Sequence, residues 1–120
     1  MIESSYFLLN EKVQYGIKDK LKWNSLTPIQ EETIPCILNG DNCVLIAQTA
    51  GGKTEAAFLP IISEIYEKKI EPISVIYISP IKALLNNQEL RLKKLGEMVN
   101  ISAFKWHGEV NYGSKKKFNI

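Results

Sequence analysis

The chain is expected to fold as an α/β domain, a parallel sheet flanked by helices. Three observations predict this class. A β-branched apolar run, Cys43-Val44-Leu45-Ile46, leads directly into a Gly-rich segment and then into a helical pattern from Lys53. A second run, Ile73 to Ser79, is rich in β-branched and aromatic residues, as a strand buried in a parallel sheet requires. A helical pattern from Lys82 to Leu95 then precedes a third apolar run, Ile101 to Trp106. Strand, helix, strand, helix, strand in this order is the pattern of a right-handed parallel sheet. With 120 residues, 45% of them apolar, there is material for one domain and a real core.

Each element has its own local warrant. Leu9, Val13, Ile17 and Leu21 recur every fourth residue with polar residues between them, which predicts an amphipathic helix over 9–21. Thr27-Pro28-Ile29-Gln30 predicts the start of a second helix: Thr27 as N-cap, Pro28 in the first position, and Gln30 closing a capping box. That helix should reach about Leu38 and stop at Asn39-Gly40. Lys53 to Lys69 reads as a helix burying Ala57, Ile61, Ile62 and Ile65, with Pro60 expected to bend it because proline lacks a backbone donor. In the helix from Lys82, Leu84, Leu85, Gln88, Leu92 and Leu95 lie close to one stripe, and Gly96 should end it. Residues 1–41 therefore form a helical region and 42–120 an α/β core.

Composition excludes several classes. Fifteen basic and thirteen acidic residues give a formal charge of +2, too small for nucleic-acid binding by bulk electrostatics. Cys36 and Cys43 have no metal-ligand or redox spacing and are expected as buried reduced thiols of a cytoplasmic protein. The single His107 has no Cys or second His beside it, which argues against zinc. Tyr6-Phe7-Leu8-Leu9 is too short for a signal or membrane segment, so no membrane partner is expected.

The chemistry lies in Ala47-Gln48-Thr49-Ala50-Gly51-Gly52-Lys53-Thr54, between strand and helix. Glycines let backbone N–H groups close around phosphate oxygens, Lys53 reaches the β and γ phosphates, and the Thr54 hydroxyl can ligate Mg²⁺. The helix starting at Lys53 adds its positive dipole end. Residues 48–54 are thus expected to bind a nucleoside triphosphate, with Lys53 and Thr54 as the catalytic pair and Thr54 as the metal ligand. Ala47 stands where the usual phosphate-loop pattern has Gly. Nowhere does an apolar strand end in an acidic residue able to hold Mg²⁺ or orient water, and three parallel strands leave an open edge. The chain is therefore expected to be part of a longer NTPase.

Taken together, these motifs resemble the first RecA-like domain of superfamily 2 DEAD/DEAH-box helicases, most closely the Lhr-like group, over about Trp23 to Phe118. Trp23-Asn24-Ser25-Leu26-Thr27-Pro28-Ile29-Gln30 is similar to the Q motif, and Ala47 to Thr54 to motif I, where the family does carry Ala at the first position. Ser79-Pro80-Ile81-Lys82-Ala83-Leu84-Leu85-Asn86-Asn87-Gln88 is similar to motif Ia, and Trp106-His107-Gly108-Glu109 to a Trp-His-Gly-Asp element of Lhr-like proteins. Gln48 replaces a common Pro, and Ala50-Gly51 a common Gly-Ser pair. If position 50 needs a left-handed backbone, Ala costs about 1–2 kcal/mol there, unless Gly51 carries that conformation.

The resemblance implies a helicase that couples ATP hydrolysis to strand separation or translocation. It implies that Gln30 reads adenine and that Pro80, Ile81, Lys82 and Ala83 lie against a nucleic-acid backbone, DNA slightly ahead of RNA. The other implied partner is the rest of the helicase, with its acidic box, arginine fingers and second RecA-like domain. This segment alone is expected to hydrolyse ATP hardly at all. Plainer readings stand beside each role: Gln30 as a capping residue, Tyr6, Phe7 and Trp23 as core or staple aromatics in place of base-stacking ones, Lys82 as a solvated lysine, Lys115 to Lys117 as a solvated cluster, and Glu55 as a favourable helix-end charge. A nucleotide-binding regulatory module without hydrolysis and a restriction- or defence-type translocase are the rival functions.

Overall fold

The computed structural model describes residues 3–48, 52–79 and 82–102, with backbone alone over 82–86. A 3-10 turn, Ser5–Leu8, precedes α1, Glu11–Tyr15, which widens into a π-type turn, Gly16–Lys20. There follow α2, Pro28–Leu38, α3, Lys53–Lys68, and α4, Lys82–Glu97.

The first helical stretch forms where the four-residue spacing placed it, and its stripe is the core stripe: Leu9, Val13 and Ile17 are buried and Leu21 packs against them. Asn10 caps it, its Oδ1 accepting from Lys12 N at 2.9 Å while its own N–H donates to Ser63 Oγ of α3 at 2.7 Å. The same residue thus ends one orphan donor problem and ties α1 to α3. α2 has its full capping box: Gln30 N donates to Thr27 Oγ1 and Thr27 N to Gln30 Oε1.

Proline 35 lies inside α2 and has no N–H for the carbonyl of Glu31, four residues back. That carbonyl accepts instead from Ser5 Oγ at 2.6 Å. The Glu31 carboxylate accepts from Ser4 Oγ at 2.6 Å and from Ser5 N at 2.7 Å. The Ser4 hydroxyl, followed by the Ser5 donors, holds the Glu31 carboxyl below its ordinary range against the opposing effect of burial. A helix weakened by proline is thereby docked by the N-terminal turn.

α3 passes unbroken through Pro60, whose ring is fully buried. Its buried face is Ala56, Leu59, Pro60, Ile62, Ser63 and Ile65; Ala57 and Ile61, expected inside, are only half-buried. The face is rotated because α1 and α2 pack on the Leu59–Ser63 side. α4 runs past Gly96 to Glu97, and the chain then folds back so that Ile101 N donates to Gly96 O at 2.8 Å; a side chain at 96 would run into the Ile101 carbonyl. Leu95, Met98 and Val99 join Leu9, Val13, Ile17, Ile34, Leu59 and Ile62 in one core.

The expected strands differ. Among the described residues no strand is present: 41–48 and 74–79 carry no regular secondary structure. A strand is completed only by a neighbour's backbone, and neither run has one here. Their exposures still alternate. Val44 and Ile46 are 86% exposed while Leu45 is half-buried, and Ile76 and Ile78 are 79% and 85% exposed against 36% and 38% for Val75 and Tyr77. Tyr77 meets Phe58 of α3 edge-on, with ring centroids 5.7 Å apart. The second run thus turns Tyr77 to α3 and leaves Ile76 and Ile78 open, while the first leaves Val44 and Ile46 open. Cys36 and Cys43, expected buried, are both free and exposed, because α2 presents Ile34 and Gln30 to the core and residue 43 lies in the open run. Most of the expected third strand, with Trp106, His107 and Lys115 to Lys117, lies outside the described residues.

Candidate functional site

Ala47 and Lys53 mark the two ends of the loop, and the structure joins them: Lys53 Nζ donates to the Ala47 carbonyl at 2.9 Å. The lysine amine therefore sits across the loop between the open run and the first turn of α3. Thr49, Ala50 and Gly51 lie outside the described residues, and Gln48 is exposed.

Gly52 is the N-cap of α3, with φ +79°, ψ +27° and no side-chain cap, while the Ala56 N–H closes the first helical bond on Gly52 O at 2.9 Å. This left-handed conformation is one that glycine adopts without strain. A Cβ there would also stand 2.5 Å from Gln30 Nε2, so the backbone favours glycine and any side chain would displace the Gln30 amide. The first-turn N–H groups of α3 have no side-chain acceptor from the cap, which leaves donors and the positive helix end directed at the loop.

Gln30 is 1% exposed and its amide is used at both ends: Oε1 accepts from Thr27 N at 2.9 Å and Nε2 donates to Gly52 O at 3.4 Å. The capping role is thus observed, and beyond it Gln30 fastens the start of α2 to the loop. Trp23 packs against the core, Tyr6 donates its hydroxyl to Gln14 O at 3.0 Å and stands edge-on to Phe7, which is 58% exposed. Lys82 and Ala83 form the start of α4; Pro80 and Ile81 lie outside the described residues.

Two contacts were not foreseen. Thr54 Oγ1 donates to Gln88 Oε1 of α4 at 3.0 Å. Next to it Glu55, expected as a favourable helix-end charge, is buried and bound by Arg91, whose Nε and Nη2 reach its carboxylate at 3.1 and 2.7 Å. Gln88 interrupting an apolar stripe was the available signal, since a polar residue on a buried face needs a partner. Among the described residues no buried side-chain N or O lacks a hydrogen bond.

A Gly-capped helix preceded by a lysine-bridged loop defines the P-loop NTPase class. The chain belongs to the DEAD/DEAH box helicase family, whose model matches residues 27–119. It is 37% identical over 93 residues to the pre-mRNA-processing ATP-dependent RNA helicase PRP5 of Candida glabrata, covering 72% of this chain and 11% of that protein. Over 97 residues it is 37% identical to the ATP-dependent helicase Lhr-Core of Methanocaldococcus jannaschii, covering 77% and 11%. The ATP-dependent rRNA helicase rrp3 of Schizosaccharomyces pombe is 31% identical over 83 residues, covering 69% and 18%. The aligned part thus amounts to less than a fifth of these relatives' length. Family membership carries a RecA-like fold and use of ATP, generally with Mg²⁺.

The groups present fit that ion. Among the described residues no cluster of three or more His, Cys, Asp or Glu forms a protein cage for a metal. Mg²⁺ is commonly held by few protein oxygens together with phosphates and water, and Thr54 offers one hard oxygen whose proton is directed at Gln88. Among the described residues no helix is long and apolar enough to cross a membrane.

Proposed function

We propose that this chain is the ATP-gripping part of a nucleic-acid-dependent helicase motor. One observation carries the reading: in a chain of this family, the Lys53 amine bridges to Ala47 at the mouth of a loop that ends on the uncapped first turn of α3. In the bound state the phosphates take the Ala47 carbonyl's place as partner of Lys53, and the amides of residues 48–54 surround them. Thr54 would hold Mg²⁺, which when bound would supply positive charge against the phosphates. Gln30 contributes adenine selection by turning its amide from Gly52 and Thr27 to the donor–acceptor edge of the base.

The parallel sheet belongs to the same proposal. Exposure already alternates over 44–46 and 75–78, and these runs become paired strands when the rest of the domain supplies their neighbours. Residues 1–41 then form the adenine-side helical region and 42–120 the α/β core. The acidic box, arginine fingers and second RecA-like domain come from the rest of the motor, and closure of the two domains couples ATP to movement of the segment Pro80, Ile81, Lys82 and Ala83 on a strand. RNA is the proposed strand: the relatives named above as RNA and rRNA helicases outweigh the sequence's slight lean to DNA.

Titration with a fluorescent ATP analogue tests the site. Lys53→Ala should lower ATP affinity at least about tenfold with unchanged circular dichroism, since it removes a charge-assisted phosphate contact; equal affinity would refute the phosphate role. In the same titration Gln30→Ala should narrow the preference for ATP over GTP, and an unchanged preference would leave Gln30 as a capping residue only.

A further inference from the structure

The contacts between α3 and α4 assign a role to a residue outside the loop. We infer that Gln88 is a positioning residue for the cation: it accepts the hydrogen bond of the Thr54 hydroxyl and so leaves the oxygen's lone pairs to face Mg²⁺. The inference rests on the proposed function, since it supposes that Thr54 is the ligand.

A threonine hydroxyl has one proton and two lone pairs and rotates freely about Cβ–Oγ. Left alone, it would direct its proton at any nearby acceptor, a phosphate oxygen included, and present a lone pair to a cation in only part of its rotamers. Gln88 Oε1, an amide oxygen that can only accept, stands 3.0 Å from Thr54 Oγ1. The proton is therefore committed to α4, and both lone pairs face away from Gln88. The acceptor also makes the oxygen a better donor to a cation, as outer partners of metal ligands do.

Burial and a second contact keep the acceptor in place. Gln88 is 8% exposed, so water does not compete freely for its carbonyl. One residue along α3, Glu55 holds Arg91, three residues along α4, through the paired contacts described above. Residues three apart share a helix face, so the two contacts are a single two-point clasp between the first turn of α3 and the middle of α4. A slip of either helix would break both. The ion pair keeps the register; the amide does the orienting.

The test reads the Mg²⁺ dependence of nucleotide binding and needs no turnover. A fluorescent ATP analogue is titrated against the chain at increasing Mg²⁺, and again in excess EDTA, for wild type, Thr54→Val, Gln88→Met and Gln88→Glu. Gln88→Met keeps length and apolar volume but has only a weak acceptor, whereas Gln88→Glu keeps a strong one. Gln88→Met is expected to raise the Mg²⁺ concentration for half-maximal effect about tenfold, with affinity in EDTA unchanged, and Gln88→Glu to stay near wild type. The double variant Thr54→Val/Gln88→Met should lose no more than Thr54→Val alone. A wild-type Mg²⁺ response in Gln88→Met, where Thr54→Val has lost its response, overturns this inference and leaves the proposed function standing. An Mg²⁺ response retained by Thr54→Val removes the cation ligand itself and takes the inference with it. Equal losses with Mg²⁺ and in EDTA in both Gln88 variants would reduce Gln88 to a packing residue.

Discussion

The helical part of the molecule and its two open runs both carry β-branched and leucine side chains, yet these end in opposite situations. Val13, Ile34 and Leu59 are 0% exposed, whereas Val44, Ile46, Ile76 and Ile78 stand at 79% or more. A helix satisfies its backbone within itself and needs only one apolar stripe covered. Among the described residues α1 to α4 and their flanking turns achieve this among themselves, through Leu9, Val13 and Ile17 on one side and Leu59, Ile62 and Leu95 on the other. An extended run satisfies nothing alone. Its odd positions can lean on α3, as Tyr77 does on Phe58, but its carbonyls, amides and other face require further strands. The functional loop is strung between these two regimes: one end is an open run, the other the Gly52 start of α3.

Three substitutions would break or sharpen that contrast. The largest effect is expected from Leu59→Ala, at the centre of the helical core, which should cost about 2–5 kcal/mol in chemical denaturation; a loss below 1 kcal/mol would mean that the core is not packed as described.

An intermediate effect is expected at the docked N-terminal turn. Ser4→Ala removes the principal group that lowers the Glu31 pKa, and for a partly exposed hydrogen bond the cost at neutral pH should stay below about 1.5 kcal/mol. Because the folded pKa is depressed, this stabilisation is fully present above the ordinary glutamate value and is lost as pH falls through the lowered folded value. Melting temperatures of wild type and Ser4→Ala should therefore converge on acidification, and a gap that persists at low pH would assign the effect to something other than Glu31.

The smallest effect is expected from Ile76→Ser, which should change stability by less than about 0.5 kcal/mol in this chain, since the side chain is 79% exposed. A loss of 2 kcal/mol or more would show the open face to be covered, and so end the contrast between the two regions.

Much of the helical architecture was legible because its signals are local. Thr27 and Gln30 are three residues apart and form their capping box within one turn. Val13 and Ile17 lie on one continuous helical stretch with Leu9 just before it, and all three are buried as the spacing required. The Gly52-Lys53 junction, between loop and helix, fell where the Gly-rich motif put it. Less legible was everything that depends on which neighbour arrives. The α3 face turned from Ala57 and Ile61 toward Leu59 and Ser63 because α1 and α2 occupy that side. Glu55, a good helix former with a favourable end charge, was drawn inward by an arginine thirty-six residues away. Cys36 and Cys43 are exposed, although both lie among apolar residues.

By itself the sequence determined the capped start of α2 at Thr27, the burial of Val13 and Ile17, and the glycine-lysine junction that opens α3, because caps, period and motif spacing act over a few residues. Only the tertiary structure decided that the Gln30 amide spans from Thr27 to Gly52, that Lys53 closes on Ala47, and that Thr54 and Glu55 are gripped from α4 by Gln88 and Arg91. Each of the contacts to Gly52, Gln88 and Arg91 joins residues 22 to 36 positions apart. Their formation depends on how whole helices pack, and packing is a property of the assembled core that no single segment encodes.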